Sequence, residues 1–384
     1  MPTPSGPSVW ALLGPHRGDN NQVLALARAL GWPFEEKHLR YNQLRRLPPA
    51  SLGATFRSVA ADARAQLEGE PPDLTISTGL RSVPVVRELR RRSGGRTRSV
   101  HLGFPRISPR HFDLVVPTPE YPVPDAANVV RIPFALTPHM ERTISEEHRE
   151  LLEALPQPRR LLLLGGPTLY WHLPVDTIVG AAQRLFDRAA AEGGSVIAVG
   201  SPRTPGDLRS AIATAFHEAS VPNLFAPDKG PPAYRALIES ADEIFVTADS
   251  VAMTADAVTT GKPVGLIPIA KSPLGRVVMS AMDHLRAGQR LYPRDLRFFW
   301  AALEEQGFAG TLDRPRASSS PDYAEMIADR VRRLLEQPLP PGHRCPRLRS
   351  ISSGESERTK PDRTALPTAS PGIEPVSRPS ARSA

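Results

Sequence analysis

The sequence predicts an α/β protein: two Rossmann-like domains facing a cleft, followed by a disordered tail. Three observations point there. Short β-rich runs alternate with helix-length amphipathic segments over residues 8–335, the pattern of parallel sheets with helices on both faces. The alternation occurs in two series, joined near Leu136–Pro158. From Pro338 onward Pro, Ser, Thr and Arg replace bulky apolar residues, so that segment cannot bury enough surface to offset its ordering entropy. The expected boundaries are 1–140, 155–335 and 338–384.

In the first series Ser8–Leu13 reads as a strand. Asn21–Leu30 reads as a helix on its apolar positions Val23, Leu24, Leu26, Ala27 and Leu30, with Gly31 as the stop. Leu74–Ser77, Ser99–Leu102, Leu114–Val116 and Val129–Ile132 read as further strands. Val83–Leu89 is helical, with Pro84 tolerated in the first turn. The second series runs strand Leu161–Leu164, helix Val175–Glu192, strand Ser195–Val199, helix Gly206–Glu218 and strand Asn223–Phe225. Helix Ala233–Ser240, strand Ile244–Val246, helix Ala252–Val258 and strand Val264–Ile267 complete it.

Composition narrows the function classes. The 384 residues carry a formal net charge of +8, but only five of the 48 basic residues are lysines and the arginines are dispersed. Unclustered charge beside 43 prolines reads as coding bias on a solvated surface rather than a nucleic-acid groove. Cys345 is the only cysteine, which excludes an intrachain disulfide and a Cys-based zinc site. The ten histidines form no HExxH or other close pair. No apolar run reaches spanning length, and Val9–Leu13 is too short for a signal-peptide core. The expected compartment is the cytosol, with any membrane contact peripheral at the inner face.

Ligands of open α/β sheets bind beyond the carboxyl ends of the strands, where helix N-termini present unpaired N–H groups. Four loops fall there: Gly14–Gln22, Gly165–Thr168, Gly200–Thr204 and Thr247–Ser250. Each taken alone is also explained by turn and cap chemistry; their recurrence at equivalent strand ends points to a ligand. With Ser250 as N-cap, its hydroxyl and the following N–H groups form an anion seat. Asp256 stands six residues further, about 9 Å along the axis, an offset that fits a ribose contact as well as plain solvation. Asp249, Met253 and Asp256 share one face by i, i+4, i+7 spacing. Arg203 is suited to bidentate phosphate contact. Asp19 or Asn20 is an adequate cap for the first helix, whereas Asn21 and Gln22 are harder to explain by capping. Gly261-Lys262-Pro263 reads as a helix stop, not a Walker loop, and no GxGxxG is present. No cofactor is expected.

Several motifs, in order over roughly residues 8–335, resemble the mitochondrial-fission "elongated mitochondria" family and its bacterial relatives. They are Gly18-Asp19-x-Asn21-Gln22, Asp73-Leu74-x-Ile76-Ser77-Thr78-Gly79, Pro105-Arg106 before Phe112–Pro119, Gly165-Gly166-Pro167 and Ser201-x-Arg203-Thr204-Pro205. Ala241-Asp242, Thr247-x-Asp249-Ser250-Val251-x-Met253 and Thr260–Val264 close the set.

The resemblance implies a glycosyltransferase-like chain of the two-Rossmann GT-B type. It places the acceptor side in residues 1–140 and the nucleotide sugar in 155–335, with no metal required. It also implies that Gly165 and Gly166 approach the diphosphate, that Arg203, flanked by Ser201 and Thr204, neutralises it, and that Ser250 with Asp249 and Met253 seats phosphate. An acceptor would enter beside Gly18, Asn21 and Gln22, with Asp19 as general base. The chain departs from the family in three places. Asp256 stands where glutamate is usual, Pro202 replaces an arginine, and Thr118-Pro119-Glu120-Tyr121 replaces a His-Asp pair. A second expectation is a non-catalytic adaptor at a membrane surface.

Overall fold

The computed structural model describes residues 6–138, 146–226, 234–285 and 294–337. The tail 338–384, expected to be disordered, and Cys345 within it lie outside the described residues, as does part of the expected joint at 136–158.

The first series forms β1 (Val9–Leu13), α1 (Arg17–Ala29), β2 (Phe34–His38), the short helices α2 (Pro49–Leu52) and α3 (Ala61–Arg64), β3 (Leu74–Thr78), α4 (Val83–Arg92), β4 (Arg98–Leu102) and β5 (Leu114–Val116). Its sheet is all parallel in the order β2-β1-β3-β4-β5. β1 shows why a run of five apolar residues makes a central strand. Val9, Ala11 and Leu13 enter the core on one face, with Leu26 and Ile76, while Trp10 and Leu12 enter the core on the other, with Val85 and Leu89. Both faces are covered, so the strand needs no polar alternation.

The second series forms α5 (Glu146–Glu153), β6 (Arg159–Leu164), β7 (Trp171–His172), α6 (Val175–Glu192), β8 (Ser195–Gly200), α7 (Gly206–Glu218), β9 (Asn223–Ala226), α8 (Tyr234–Ser240), β10 (Glu243–Thr247), α9 (Val251–Val258) and β11 (Val264–Ile267). It continues with β12 (Ala270–Lys271), α10 (Pro273–Leu285), α11 (Leu296–Glu305), β13 (Gly310–Thr311) and α12 (Tyr323–Glu336). Six strands form a second parallel sheet, β9-β8-β6-β10-β11-β13, with β7 and β12 pairing as a separate antiparallel ribbon. Leu161 and Leu163 face one core, Leu162 and Leu164 the other, and all four are fully buried. At about 1.5–3 kcal/mol each, these side chains make β6 the spine of its sheet.

Both sheets are Rossmann-like, as the sequence predicts, and strand order reverses once in each. The reversal falls between β1 and β3 in the first sheet and between β6 and β10 in the second. Ligand crevices of doubly wound sheets open at such points.

Four details differ from expectation. The first helix begins at Arg17, four residues early, because neither Asp19 nor Asn20 caps it. The Asn20 side chain instead clamps Gly14, accepting from its N–H (2.8 Å) and donating to its carbonyl (2.9 Å). Val129–Ile132 is not a strand: only Val129 bridges to Val115, since β5 runs into Pro117, which has no N–H to extend the ladder. The edge strand β2, of sequence FEEKH, carries too many charges to read as a strand. Finally, α12, expected with the second half, packs Ile327, Ala328 and Val331 into the core of the first sheet beside Val9, Leu26 and Leu30. Phe134 and Tyr323 meet edge-on at 5.2 Å where the chain returns.

Candidate functional site

The loops after β1 and β3 line a cavity of about 210 Å³ whose wall includes Asp19, Thr78, Gly79, Phe104, Arg106, Tyr121 and Arg294. Asp19 lies in the first turn of α1, and its carboxylate makes no hydrogen bond among the described residues. Burial raises its pKa above the usual carboxylate value, an effect opposed by the charges of His16 and Arg294. Gly79, at φ 73°, lets the β3 loop turn so that its Cα faces the Asp19 carboxylate. Burial also raises the Tyr121 phenol. Arg106 sits at φ 53°, a left-handed backbone that non-glycine residues rarely adopt. Such strain costs on the order of 1–3 kcal/mol and concentrates at functional sites.

Arg294 comes from the second half of the chain. It donates to Glu120 (3.2 Å), stands over the Tyr121 ring (5.4 Å), and is followed by Asp295, whose N–H bonds the Glu120 carbonyl at 2.9 Å. Glu120 is 2% exposed, and its second carboxylate oxygen has no hydrogen-bond partner among the described residues.

At the second sheet's reversal, β10 ends in Thr247 and turns through Ala248-Asp249 into Ser250, the N-cap of α9. The Ser250 hydroxyl accepts from Met253 N–H at 3.4 Å. The Trp300 indole pins the turn by donating to the Ala248 carbonyl (2.8 Å). Gly165 and Gly166 present no open diphosphate seat. Gly165 N–H donates to Thr247 Oγ1 (2.8 Å) and Gly166 N–H to Asp249 Oδ2 (2.9 Å), while the Thr247 hydroxyl donates to Asp249 Oδ1 (2.7 Å). A Cβ on Gly165 would stand 2.2 Å from the Asp249 carboxylate, and one on Gly166 would stand 2.3 Å from the Arg203 carbonyl. Internal packing alone therefore requires both glycines.

Asp249 is 2% exposed; burial raises its pKa against the Thr247 and Gly166 hydrogen bonds and the charge of Arg203. The half-exposed Arg203 guanidinium stands 3.6 Å from Asp249. Ser201 and Thr204 build the supporting turn: Ser201 N–H donates to Thr204 Oγ1 (2.8 Å), whose hydroxyl donates to the Gly165 carbonyl (2.7 Å). Asp256 accepts from the Tyr234 hydroxyl at 3.1 Å, and burial raises its pKa to about 6. The shared face expected for Asp249, Met253 and Asp256 divides in three. Asp249 precedes the helix and turns to Gly166, Met253 packs on the core, and Asp256 bonds Tyr234. Lys262 Nζ donates to the Ile238 carbonyl near the end of α8 (3.0 Å), a structural role.

The two reversals meet. A methyl group on Gly18 would lie 3.5 Å from the Ala252 Cβ, so the first turns of α1 and α9 abut. The N–H groups of Arg17, Gly18 and Asp19 on one side, and of Val251 and Ala252 on the other, have no hydrogen-bond partner among the described residues. Two positive helix ends thus converge beside Asp19. Asn21 and Gln22 lie one step further along α1, half-buried, their side chains without hydrogen bonds among the described residues. Arg294 carries no sequence signal, because chain folding alone brings it here; Arg106, Glu120 and Thr247 fall within motif stretches in which spacing could not assign each a role. Among the described residues no His, Cys, Asp or Glu side chains gather to hold a metal ion. No helix among them is long and apolar enough to cross a membrane.

The model of the mitochondrial fission ELM1 family matches residues 17–335, most of the chain. The chain belongs to that family. The match to the ELM1 family begins at the start of α1, just after β1, takes in the whole of the second sheet and ends in the last turn of α12. No curated protein matches the chain. Solved structures resemble this ELM1-family chain at low identity. MurG from Acinetobacter baumannii is 14% identical, with 86% of this chain and 92% of that one covered and a TM-score of 0.44. The UDP-GlcNAc 2-epimerase of Methanocaldococcus jannaschii is 12% identical, with 85% and 99% covered and a TM-score of 0.48. A UDP-glucosyltransferase from Polygonum tinctorium is 12% identical, with 87% and 94% covered and a TM-score of 0.46.

Proposed function

We propose that this ELM1-family chain is a GT-B-type glycosyltransferase that uses a nucleoside-diphosphate sugar. The observation that carries the reading is the meeting of α1 and α9 at Gly18 and Ala252, with unclaimed N–H groups on both sides and the Asp19 carboxylate in the adjoining cavity. A helix N-terminus favours anions through its dipole and free donors, and two of them suit a diphosphate. In this reading the diphosphate spans the α1–α9 junction rather than the Gly165-Gly166 amides, with Arg203 adding charge from the side. The acceptor hydroxyl gives its proton to Asp19 as its oxygen bonds the anomeric carbon. The anomeric bond to the phosphate oxygen breaks, and the nucleoside diphosphate leaves with the electron pair. Donors aimed at the departing charge lower the barrier. A raised carboxylate pKa brings Asp19 closer to the working range of a general base.

Thermal-shift and calorimetric titration with UDP-, GDP- and dTDP-linked sugars test the donor. One of them should raise Tm by mass action, and Arg203→Ala should weaken its binding ten-fold or more. Absence of any shift with all three sugars rejects the reading.

A second reading, a non-catalytic adaptor at a membrane surface, is favoured by the engagement of the Gly165 and Gly166 N–H groups by Thr247 and Asp249. The exposed Leu169, Leu274 and Val277 beside Arg276 add an apolar, basic surface. Co-sedimentation with anionic vesicles, without any nucleotide-dependent shift, supports this reading over the first.

A further inference from the structure

The Asp19 cavity has a charge pattern that glycosyl transfer alone does not require. Among the described residues its ionic lining is Asp19, Arg106 and Arg294. Burial further disfavours the charge on Asp19. The second acid nearby, Glu120, lies behind the wall with a side chain only 1% exposed. It grips Arg294 through its carboxylate and Asp295 through its carbonyl, which holds the Arg294 guanidinium at the cavity with 35% of its side chain exposed. Arg106 is brought to the wall by a left-handed backbone turn that its own residue type disfavours. A neutral sugar hydroxyl would need neither arrangement.

We propose that the cavity takes a compact acceptor bearing an oxyanion, a phosphate or a carboxylate, held by Arg106 and Arg294 with its hydroxyl turned to Asp19. The guanidinium fork matches either oxyanion bidentately. At about 210 Å³ the cavity falls below the roughly 300–1,000 Å³ of sites for drug-sized ligands, so the acceptor, or the part of it that enters, is small. The inference rests on reading this cavity as the acceptor site. Arg294 makes the acceptor site a joint product of both halves of the chain, which ties acceptor binding to their mutual position.

Calorimetric titration of the full chain with glycerol phosphate, glycerate and glycerol separates the two sources of the anion. At least one anionic probe should bind ten-fold or more tightly than glycerol. Glycerol phosphate leading glycerate identifies a phosphate group, and the reverse order a carboxylate. Arg294→Gln and Arg106→Gln should each erase that preference. Equal binding of glycerol and both anions, or a preference that survives both substitutions, overturns the proposal. Should the variants fail to fold, phenylglyoxal labelling of the native chain, read by peptide mass, decides the matter. The preferred anion should protect Arg294, and unprotected labelling at saturating anion overturns the proposal. These titrations contain no nucleotide. Lost donor binding with intact anion preference therefore sinks the glycosyl-transfer reading alone, and the converse sinks only this inference.

Discussion

Gly18 in the first turn of α1 and Ala252 in the first turn of α9 are close enough that a methyl group on the glycine would touch the alanine at 3.5 Å. That distance is ordinary van der Waals contact, so Gly18→Ala fits and, in a helix, stabilises the chain by roughly 0.5–1 kcal/mol. Gly18→Leu fills the junction instead. It should weaken nucleotide-sugar binding at least ten-fold in calorimetry while the far-ultraviolet circular dichroism stays unchanged.

Gly165 faces the opposite situation, because its Cβ would stand 2.2 Å from the buried Asp249 carboxylate. Gly165→Ala is expected to cost about 1–3 kcal/mol by overpacking, read from urea unfolding. Combining it with Asp249→Ala relieves the clash, and the double-mutant cycle should return a favourable coupling of about 0.5–3 kcal/mol. Simple additivity would mean that the glycine is needed for something other than this carboxylate.

The Asp19 carboxylate should be dispensable for folding and needed for turnover. Asp19→Asn removes the proton acceptor and is expected to lower kcat by about 10²–10⁴-fold, with donor affinity within about two-fold. Stability should hold or rise, since burial opposes the charged form and no hydrogen bond is lost. A proportional loss of kcat and donor binding would assign Asp19 to the donor side.

Asp256 gives the clearest pH signature. Burial raises its pKa from 3.8 to about 6, so between those values the folded state holds a proton that the unfolded state has released. Its contribution is therefore full below about pH 4 and is lost as pH climbs through 6, by about 1–3 kcal/mol. Asp256→Asn keeps an oxygen for the Tyr234 hydroxyl and carries no charge. The variant should gain stability relative to the parent as pH rises from 4 to 7, measured by urea unfolding at each pH. A difference that does not vary with pH would show that Asp256 is solvated.

Ile327 in α12 is fully buried in the core of the first sheet. Ile327→Ala should cost about 2–5 kcal/mol. It should also speed proteolysis within residues 6–138 as much as within the helix itself. Cleavage confined to the α12 region would mean that the helix docks without supporting the sheet.

The periodic part of this structure was legible in the sequence. Leu161–Leu164 and Val9–Leu13 are apolar runs of strand length, and Val175–Glu192 matches its helix at both ends. β2 escaped because an edge strand can carry Glu35 and Glu36 toward solvent and lay Lys37 over the Trp10 ring, which erases the apolar signal. α12 could be seen as neither front nor rear, since amphipathicity says that a face is buried but not against what. Of the candidate site, the placement of Gly18, Asp19 and Ser250 just beyond strand ends was legible in the sequence. Gly165 and Gly166 were read as ligand-facing because a close approach to phosphate and a close approach to Asp249 demand the same missing side chain. Arg294 was beyond reach: its partner Glu120 is 174 positions away, and no local pattern encodes such a pairing.

The return of α12 has a practical bearing on synthesis. A ribosome that has finished residues 6–138 has made every strand of the first sheet but not the helix that covers Val9, Leu26 and Leu30. The nascent front portion must wait, with an oily flank bare, until nearly two hundred more residues emerge. Expression plasmids that stop near residue 140 should therefore yield inclusion bodies, and grafting residues 323–336 onto such a fragment should restore its solubility.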